Sequence, residues 1–325
     1  MYDCVTIGDI ALDRFLKLSD VTIRPSDTNP GNFDMVLELG QKLPVQEVIE
    51  SVGGNACNVA VGMHNLGQSV AIIANLGTDQ DSETILSHLH GQGITTDYIT
   101  RTTDEHTNSS TILSIKGERT VLSYHAERTY KLPPIPRTNC IYLTSMGIGC
   151  DSLVQQVLSH VKEHHLSLAF NPGSYFMKHK IGMIQKILPQ VKILFVNKEE
   201  AQAITGKRDE EHIPHLIQEL LTKGVEIVAL TDGVHGAYVG VEHSLQYLRP
   251  LPQSGPIAET TGAGDAFASG FMSAYLSGKS LDVALQYGIA NSGSVIRETG
   301  STHGLLSDVA MDRILKDIDL TVETV

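Results

Sequence analysis

The chain has 325 residues, of which 41% are hydrophobic and 19% are charged, and its formal net charge is −13. This length allows one large α/β domain or two smaller ones with a substantial core, and the composition excludes a disordered chain. The negative charge argues against binding of nucleic acid or of an anionic membrane surface, because both carry dense phosphate charge. A small anion could still bind where backbone N–H groups and a helix dipole face it.

The cysteines and the N-terminus indicate the cellular compartment. The four cysteines form no Cys-x-x-Cys pair, which is typical of reduced thiols in a cytosolic protein. The first residues lack the basic segment of a signal peptide, and no apolar run approaches the length of a membrane span. We therefore expect a cytoplasmic protein with no membrane-embedded part.

The first part of the chain predicts strands and helices that alternate around a polar insert. Strands are predicted at residues 4–7 and 70–76, and helices at 55–66 and at about 82–90. The insert, residues 14–50, is polar and is interrupted by prolines. It does not continue the alternation of strand and helix.

A β-hairpin is predicted next. Residues 111–115 and 120–124 are rich in β-branched and apolar side chains, and Lys116-Gly117-Glu118-Arg119 supplies a turn between them. With the polar insert, this hairpin would form a small sheet, which we call the lid. The predicted main α/β domain comprises residues 1–13, 52–96 and 126–325, and the predicted lid comprises residues 14–51 and 97–125.

Strand and helix alternate again after Pro136, which predicts a mainly parallel, doubly wound sheet with helices on both faces. The predicted strands are 140–143, 167–170, 192–196 and 226–230. The predicted helices between them are 152–164, 181–188, 198–205 and 212–223, and two helices, 264–277 and 281–297, close the chain. Polar residues follow several strands directly, namely Asp9, Asn171, Asn197 and Thr231. In such sheets ligands bind outside the carboxyl ends of the strands, so these side chains should gather at one site.

The strongest local signal is Glu-Thr-Thr-Gly-Ala-Gly-Asp-Ala-Phe at 259–267. Gly262, Ala263 and Gly264 leave consecutive N–H groups unobstructed at a helix start, where a phosphate could bind. Asp265 would lie in the first turn, where a carboxylate could accept a proton from a hydroxyl that attacks phosphorus. The alternative is a glycine-rich loop that only begins a helix.

This motif closely resembles the C-terminal signature of the ribokinase-like carbohydrate and nucleoside kinases of the pfkB type. Gly-Gly-Asn-Ala-Cys-Asn-Val-Ala at 53–60 resembles their N-terminal glycine-pair motif, and the resemblance runs from Gly8 to about Gly304. It implies the ribokinase fold, a Rossmann-like α/β domain with a β-sheet lid. In this family the lid often forms the interface of a homodimer.

The resemblance also implies a role for individual residues. It assigns Asp265 as the catalytic base and the amides of Gly262, Ala263 and Gly264 as the anion hole. The residues implied to bind the sugar or nucleoside are Asp13, Gly54, Asn55 and Asn58. Those implied to bind ATP are Asn197, Thr231, Gly233, Gly236 and Asn291, with Glu200 holding Mg²⁺ through water.

Several of these residues also have an ordinary structural interpretation. Asn197 and Glu200 have the spacing of a capping box for the helix that follows. Asp13 could be a loop acid, and the glycine pair at 53–54 could serve only a tight turn. Asn171-Pro172-Gly173 is a natural turn sequence.

The chain departs from the family pattern at two positions. Glu259 stands where the family more often has Asp, beside a monovalent-cation site in many members, which puts activation by potassium in question. Asn55 replaces a Lys that is common in ribokinases and in kinases of phosphorylated sugars. Losing this cation disfavours a phosphorylated acceptor, because a bound phosphate needs a compensating charge.

We therefore expect an ATP-dependent kinase that phosphorylates a hydroxymethyl group of a small sugar such as ribose or fructose. A nucleoside kinase is the first alternative, and Phe15, Phe33 and Tyr124 could supply its base platform. A kinase of phosphorylated sugars would need a basic cluster, for which Arg128 and Lys131 are the candidates. A non-catalytic sugar or nucleotide sensor is the remaining alternative.

Overall fold

The fold comes from a computed structural model that describes residues 1–27, 33–103, 105–115, 118–252 and 257–325. Lys116 and Gly117, at the centre of the predicted hairpin turn, lie outside the described residues. The strands are β1 (Cys4–Ile7), β2 (Ala11–Leu18), β3 (Thr22–Pro25), β4 (Phe33–Val36), β5 (Val45–Gly53), β6 (Val70–Leu76), β7 (Ile99–Arg101), β8 (Asn108–Ile115), β9 (Glu118–Tyr124), β10 (Cys140–Leu143), β11 (Ser167–Phe170), β12 (Ile193–Asn197), β13 (Ile227–Thr231), β14 (Ala237–Val241), β15 (Ser244–Leu248) and β16 (Glu323–Thr324). The helices are α1 (Asn55–Asn65), α2 (Gln80–Gly91), α3 (Asp151–His164), α4 (Gly173–His179), α5 (Ile181–Ile187), α6 (Lys198–Thr205), α7 (Ile213–Thr222), α8 (Ala263–Leu276), α9 (Leu281–Val295) and α10 (Asp308–Asp317).

The main sheet has ten strands in the order β16-β15-β14-β13-β12-β11-β10-β1-β6-β7. From β13 to β7 every pair is parallel, and the last three strands at the other edge are antiparallel. β1 and β6 are buried along their whole length, as expected of strands covered on both faces. Successive side chains point to opposite faces, and a separate hydrophobic core lies on each face. The predicted doubly wound α/β fold is therefore confirmed.

A second sheet, the lid sheet, has four strands in the order β5-β2-β8-β9. β2 is central, antiparallel to β5 and parallel to β8, and β8 and β9 form the predicted hairpin. Asp13 on β2 pairs in register with Ser51 on one side and Ser110 on the other. β3 and β4 form a separate two-stranded hairpin within the insert.

The sheets do not follow the limits predicted for the two parts of the chain. β2 begins at Ala11 and β5 ends at Gly53, so both strands extend past the insert that composition had marked, and they bring Asp13 into the lid sheet. β7 was placed in the lid, but it pairs with β6 in the main sheet. A strand ends where its hydrogen-bonding partner ends, which composition does not reveal. The division into a main domain and a lid stays a prediction.

Three further elements differ from the sequence prediction. The turn predicted at 171–173 leads directly into α4, and the hairpin β14–β15 was not predicted. The prediction that two helices close the chain was wrong, because α10 follows them. α10 has a Ser307 side-chain cap, but it buries only Met311 completely, so its apolar pattern is weak. Within the described ranges, none of the helices combines the length and apolarity needed to cross a bilayer.

Candidate active site

A cavity of about 850 Å³ lies between the carboxyl ends of the parallel strands and the lid sheet. This volume lies within the range of small-molecule sites. Its lining includes the polar residues predicted to gather at these strand ends, namely Asp9, Asn171, Asn197 and Thr231. Asp13, Asn108, Ser110 and Ser123 line it from the lid sheet.

The glycine turn before α8 has the geometry of an anion site. Gly262 is the N-cap with φ of +79°, and a Cβ there would lie 2.8 Å from both Cβ and O of Ser301. Gly262 and Gly264 line the cavity, and a Cβ at Gly264 would meet open space. The first N–H groups of a helix have no intrahelical acceptor, and the helix dipole favours an anion beside them. The N–H of Ala263 donates to the Thr260 carbonyl at 3.3 Å, so this amide belongs to the turn.

Asp265 lies in the first turn of α8 and faces the same cavity. Its side chain is buried, and this burial raises the pKa of Asp265 to about 7. The Asn58 Nδ2 donates to Asp265 Oδ2 at 2.8 Å, which opposes this rise in pKa, and the charge of Glu200 adds to it. A carboxylate with a pKa near neutral pH is suited to accept and release a proton during a reaction.

Ser301, which was not predicted, fixes the orientation of Asn58. The Ser301 hydroxyl donates to Asn58 Oδ1 at 3.0 Å, so the amide nitrogen of Asn58 points at Asp265. Ser301 also packs against Gly262, as described above. It lies in no recognisable motif, and only its position after Gly300, which has φ of +107°, marks a sharp turn there.

The end of the cavity under the lid sheet is acidic. Asp13 is buried, and burial raises its pKa to about 6; a hydrogen bond with Ser110 lowers the pKa and the charge of Glu259 raises it. Steric crowding explains why glycines occupy positions 53 and 54. A Cβ at Gly53 would overlap the Asp13 carboxylate, and one at Gly54, where φ is +91°, would lie 2.8 Å from the Ile10 Cα.

Asn55 and Asn171 extend this end of the cavity. Asn55 Nδ2 donates to Asn171 Oδ1 at 3.3 Å, and Asn171 Nδ2 donates to the Phe195 carbonyl at 3.1 Å. Both residues line the cavity. The position of Asn171 directly after a strand was the signal that identified it, although its turn sequence favoured a structural role.

Asp9 is held in place by groups that sequence analysis missed. The Tyr130 hydroxyl lies 2.8 and 2.9 Å from the two Asp9 carboxylate oxygens, and the Gly147 N–H donates to Oδ2 at 3.0 Å. Burial raises the pKa of Asp9, and the Tyr130 hydrogen bond opposes this. Asp9 therefore shapes the wall of the cavity between β1 and β10.

Some of the residues predicted to bind the nucleotide line the cavity at the carboxyl ends of β12 and β13. Asn197 and Glu200 form the predicted capping box, with N–H···O distances of 3.0 and 2.8 Å, and both also line the cavity. Thr231 and Gly233 line it at the end of β13, whereas Gly236 does not. At Gly236, where φ is +100°, a Cβ would lie 3.1 Å from the Arg249 Cα, so this glycine permits the close approach of β15.

Asn291 does not line the cavity, contrary to its predicted contact with adenine. It is fully buried between helices, where Nδ2 donates to the Ala266 carbonyl at 2.9 Å and to Ser269 Oγ at 3.0 Å. Its Oδ1 accepts from the Leu306 N–H at 2.9 Å. The side chain points into the α8–α9 interface, so it stabilises the position of α8, and we leave it out of the proposed ligand contacts.

The described residues fit a magnesium ion bound together with phosphates. Among them, no group of three or more His, Cys, Asp or Glu side chains could hold a metal without help. Mg²⁺ usually retains several waters and takes only one or two carboxylates plus phosphate oxygens. Glu200 lines the cavity and burial raises its pKa, a shift that a nearby cation would oppose.

Comparisons with known proteins agree with this geometry. The model of the pfkB family of carbohydrate kinases matches residues 22–308. The chain is 27% identical to the ATP-dependent 6-phosphofructokinase of Thermoanaerobacterium thermosaccharolyticum over 92% of this chain and 89% of that protein. It resembles the structure of Arabidopsis thaliana ribokinase complexed with ribose and ATP, with a TM-score of 0.81 and 19% identity over 98% and 99% of the two chains. It also resembles the nucleoside kinase of Methanocaldococcus jannaschii, with a TM-score of 0.78 and 19% identity over 97% and 99%.

Proposed function

The chain belongs to the pfkB family of carbohydrate kinases and is a phosphotransferase with an alcohol group as acceptor. From this premise we propose that it transfers the γ-phosphoryl group of ATP to a hydroxymethyl group of a small sugar. Ribose and fructose are the acceptors we would test first. The observation that carries the proposal is the buried Asp265 at an open glycine turn within the cavity.

The proposed reaction moves one proton and one phosphoryl group. The acceptor hydroxyl gives its proton to the Asp265 carboxylate while its oxygen bonds to the γ-phosphorus, and the bond from phosphorus to the β–γ bridging oxygen breaks to release ADP. The N–H groups of Gly262 and Gly264, together with the dipole of α8, would stabilise the charge on the transferred group. Mg²⁺, held through Glu200 and the phosphates, would neutralise phosphate charge. Asp13, Asn55 and Asn58 would hold the acceptor.

A sugar fits the acceptor end of the cavity better than a nucleoside does. The three aromatic residues proposed as a base platform lie elsewhere: Phe33 is exposed on β4, Tyr124 is exposed at the end of β9, and Phe15 lines a separate cavity. The lid-sheet residues that line the main cavity are mostly polar, including Ser110 and Ser123. Hydroxyl and carboxylate groups suit the hydroxyls of a sugar.

A neutral sugar also fits better than a phosphorylated one. Arg128 is buried and donates to the backbone carbonyl of His106 at 2.8 Å, so it supports the wall of the cavity, and Lys131 does not line the cavity. Arg119 is the one Lys or Arg among the described residues that do so. Asp9 and Asp13 line the same cavity, and their carboxylates would repel a phosphate.

We also propose how the protein assembles and where it acts.

 
The exposed outer face of the lid sheet would join two copies into a homodimer, because it carries Val48, Leu122 and Tyr124, which are 60%, 55% and 49% exposed. We propose that the protein acts in the cytoplasm and binds neither nucleic acid nor membranes, as its charge suggests. Activation by potassium stays a prediction, to be tested in the assay below.

The proposed function predicts ADP release that depends on a sugar. We expect turnover with Mg-ATP and one of ribose, fructose or 2-keto-3-deoxygluconate, and little with adenosine, inosine or cytidine. Fructose 6-phosphate should be a poor acceptor, because the acceptor end of the cavity is acidic. The screen uses an ADP-coupled assay with and without potassium, and the Asp265→Asn protein as the blank. Turnover with nucleosides alone would favour the nucleoside kinase, and no turnover with any acceptor would favour the sensor.

The raised pKa of Asp265 predicts the pH dependence of the reaction. Below a pH of about 7 the carboxyl group is protonated and cannot accept the proton of the acceptor, so kcat/KM should fall about tenfold for each pH unit. Replacing Asn58 with Ala removes a hydrogen bond that favours the ionised form, so the acid limb should move to higher pH. The measurement is kcat/KM from pH 5.5 to 9 for both proteins. A flat wild-type profile between pH 5.5 and 8 would contradict the assignment.

A further inference from the structure

Glu259 has a buried carboxylate that connects the glycine turn to the lid sheet. Only 8% of its side chain is exposed, and Oε1 accepts a hydrogen bond from the hydroxyl of Thr261, the residue before Gly262. The same oxygen lies 3.4 Å from Nη1 of Arg119, a residue of β9 that is 140 positions away in the sequence. One carboxylate oxygen therefore contacts both the turn and the lid sheet.

Arg119 occupies a particular place on the lid sheet. It lines the main cavity and also a second cavity of about 590 Å³ under the same sheet, which Glu259 lines as well. The ion pair therefore lies where the two cavities approach each other. Arg119 is one-third exposed, whereas its partner is almost fully buried.

A buried carboxylate is costly to leave without a cationic partner, because it loses water and gains no compensating charge. Arg119 supplies that charge only while the lid sheet lies over the cavity. If the lid sheet moved away, Glu259 would keep only the Thr261 hydroxyl and would have to draw water into the turn. The pair therefore favours the arrangement in which the lid sheet and the glycine turn are both in place.

We propose that Arg119 and Glu259 are positioning residues that couple the position of the lid sheet to the geometry of the 261–264 turn. Neither residue takes part in the chemical step. Arg119 stabilises Glu259, Glu259 holds Thr261, and Thr261 sets the direction of the N–H groups that follow it. The inference rests on the proposed kinase function of this cavity.

The charge of Glu259 also reaches the acceptor end of the cavity, since it is among the causes that raise the pKa of Asp13. A change in the Arg119–Glu259 pair would thus affect both the 261–264 turn and Asp13 at the acceptor end of the cavity.

The test is a double-mutant cycle with Arg119→Gln and Glu259→Gln in the sugar-dependent ADP-release assay. We expect each single variant to lower kcat about tenfold, with the acceptor KM changed less than twofold, and the double variant to be no slower than the slower single one. Arg119→Lys should recover most of the activity, because it restores the cation. Lys17→Gln removes another cation from the lid sheet, in an exposed pair with Glu47 at 3.6 Å, and should leave kcat unchanged.

Hydrogen exchange provides a readout that does not depend on turnover. The amides of residues 257–262 should exchange faster in Arg119→Gln and Glu259→Gln than in wild type, and those of α3 should not change. Hydrogen exchange can be measured even if a variant binds substrate poorly. If Glu259→Gln does not fold, the exchange rates of Arg119→Gln are compared with those of the conservative Arg119→Lys protein.

Four results would overturn the inference. Effects that multiply in the double variant would show that the two residues act independently. A raised acceptor KM in Arg119→Gln alone would show that Arg119 binds the acceptor directly. A lower Tm with unchanged kcat would leave only a structural role, and unchanged exchange at 257–262 would remove the link to the turn. An inactive wild-type protein would instead count against the proposed function, with the exchange result still deciding the coupling.

Discussion

Replacement of Asp265 by Asn is expected to lower kcat by about 10²–10⁴, the range for loss of a general base. Asn has nearly the same shape, so the acceptor and ATP should still bind and KM should change little. The amide cannot accept the proton that leaves the acceptor hydroxyl as its oxygen attacks phosphorus. The measurement is steady-state ADP release with the sugar selected by the screen.

The stability of this variant separates a catalytic role from a structural one. Burial raises the pKa of Asp265 to about 7, so the ionised form destabilises the folded protein above that pH, and this cost disappears as the pH falls. A neutral Asn avoids the cost, so Tm at pH 8 should equal or exceed that of wild type. Asp308→Asn, at an exposed first-turn acid of α10, is the matched control and should keep full activity. Wild-type kcat in Asp265→Asn would exclude Asp265 as the base.

Replacement of Gly262 by Ala is expected to lower kcat by about 10²–10³, comparable with the loss of an oxyanion-hole donor. An Ala at φ of +79° is strained, and its Cβ would lie 2.8 Å from both Cβ and O of Ser301. The turn must therefore shift, and its N–H groups would no longer face the phosphate. Both kcat and Tm should fall, as measured by ADP release and thermal unfolding.

Gly278→Ala is the matched control for this substitution. Gly278 also has positive φ, +73°, directly after α8, but a Cβ there would meet no atom within 4 Å. This variant carries the same backbone strain without the collision, so it should lose some stability and no activity. Equal kcat values for Gly262→Ala and Gly278→Ala would contradict the proposed function of the glycine turn.

Patterns of neighbouring residues predict the features that depend on local sequence. The short apolar runs at β1, β6 and β10 identify strands buried on both faces. The polar residues Asp9, Asn171, Asn197 and Thr231, at the ends of β1, β11, β12 and β13, identify the edge where the cavity lies. The turn before α8 could be recognised because its glycines and its acid are adjacent in the chain. The Asn197–Glu200 capping box follows from a spacing of three residues.

Contacts between distant segments could not be predicted from such patterns. No local signal places Arg119 beside Glu259 or Ser301 beside Asn58, because each pair is formed by packing of separate elements. Asn291 is the converse case: its position in the motif order predicts a ligand contact, whereas its side chain points into a helix interface in this structure. The limits of the lid sheet also depend on strand pairing, which composition does not encode.

The close backbone contact at Gly54 makes the junction of the two sheets a natural pivot. Asp13 lies about 7 Å along β2 from Ala11, the first residue of that strand. Lys17 lies about 20 Å from the same start, and it is level with Ser114 and Arg119 on the neighbouring strands. A rotation of 10° about the junction would thus displace Asp13 by only about 1 Å and the Arg119 end by roughly 3–4 Å. The acceptor could therefore bind Asp13 before the lid sheet rotates inward. Only the Arg119 end of the sheet would then change position enough to distinguish the open arrangement from the closed one.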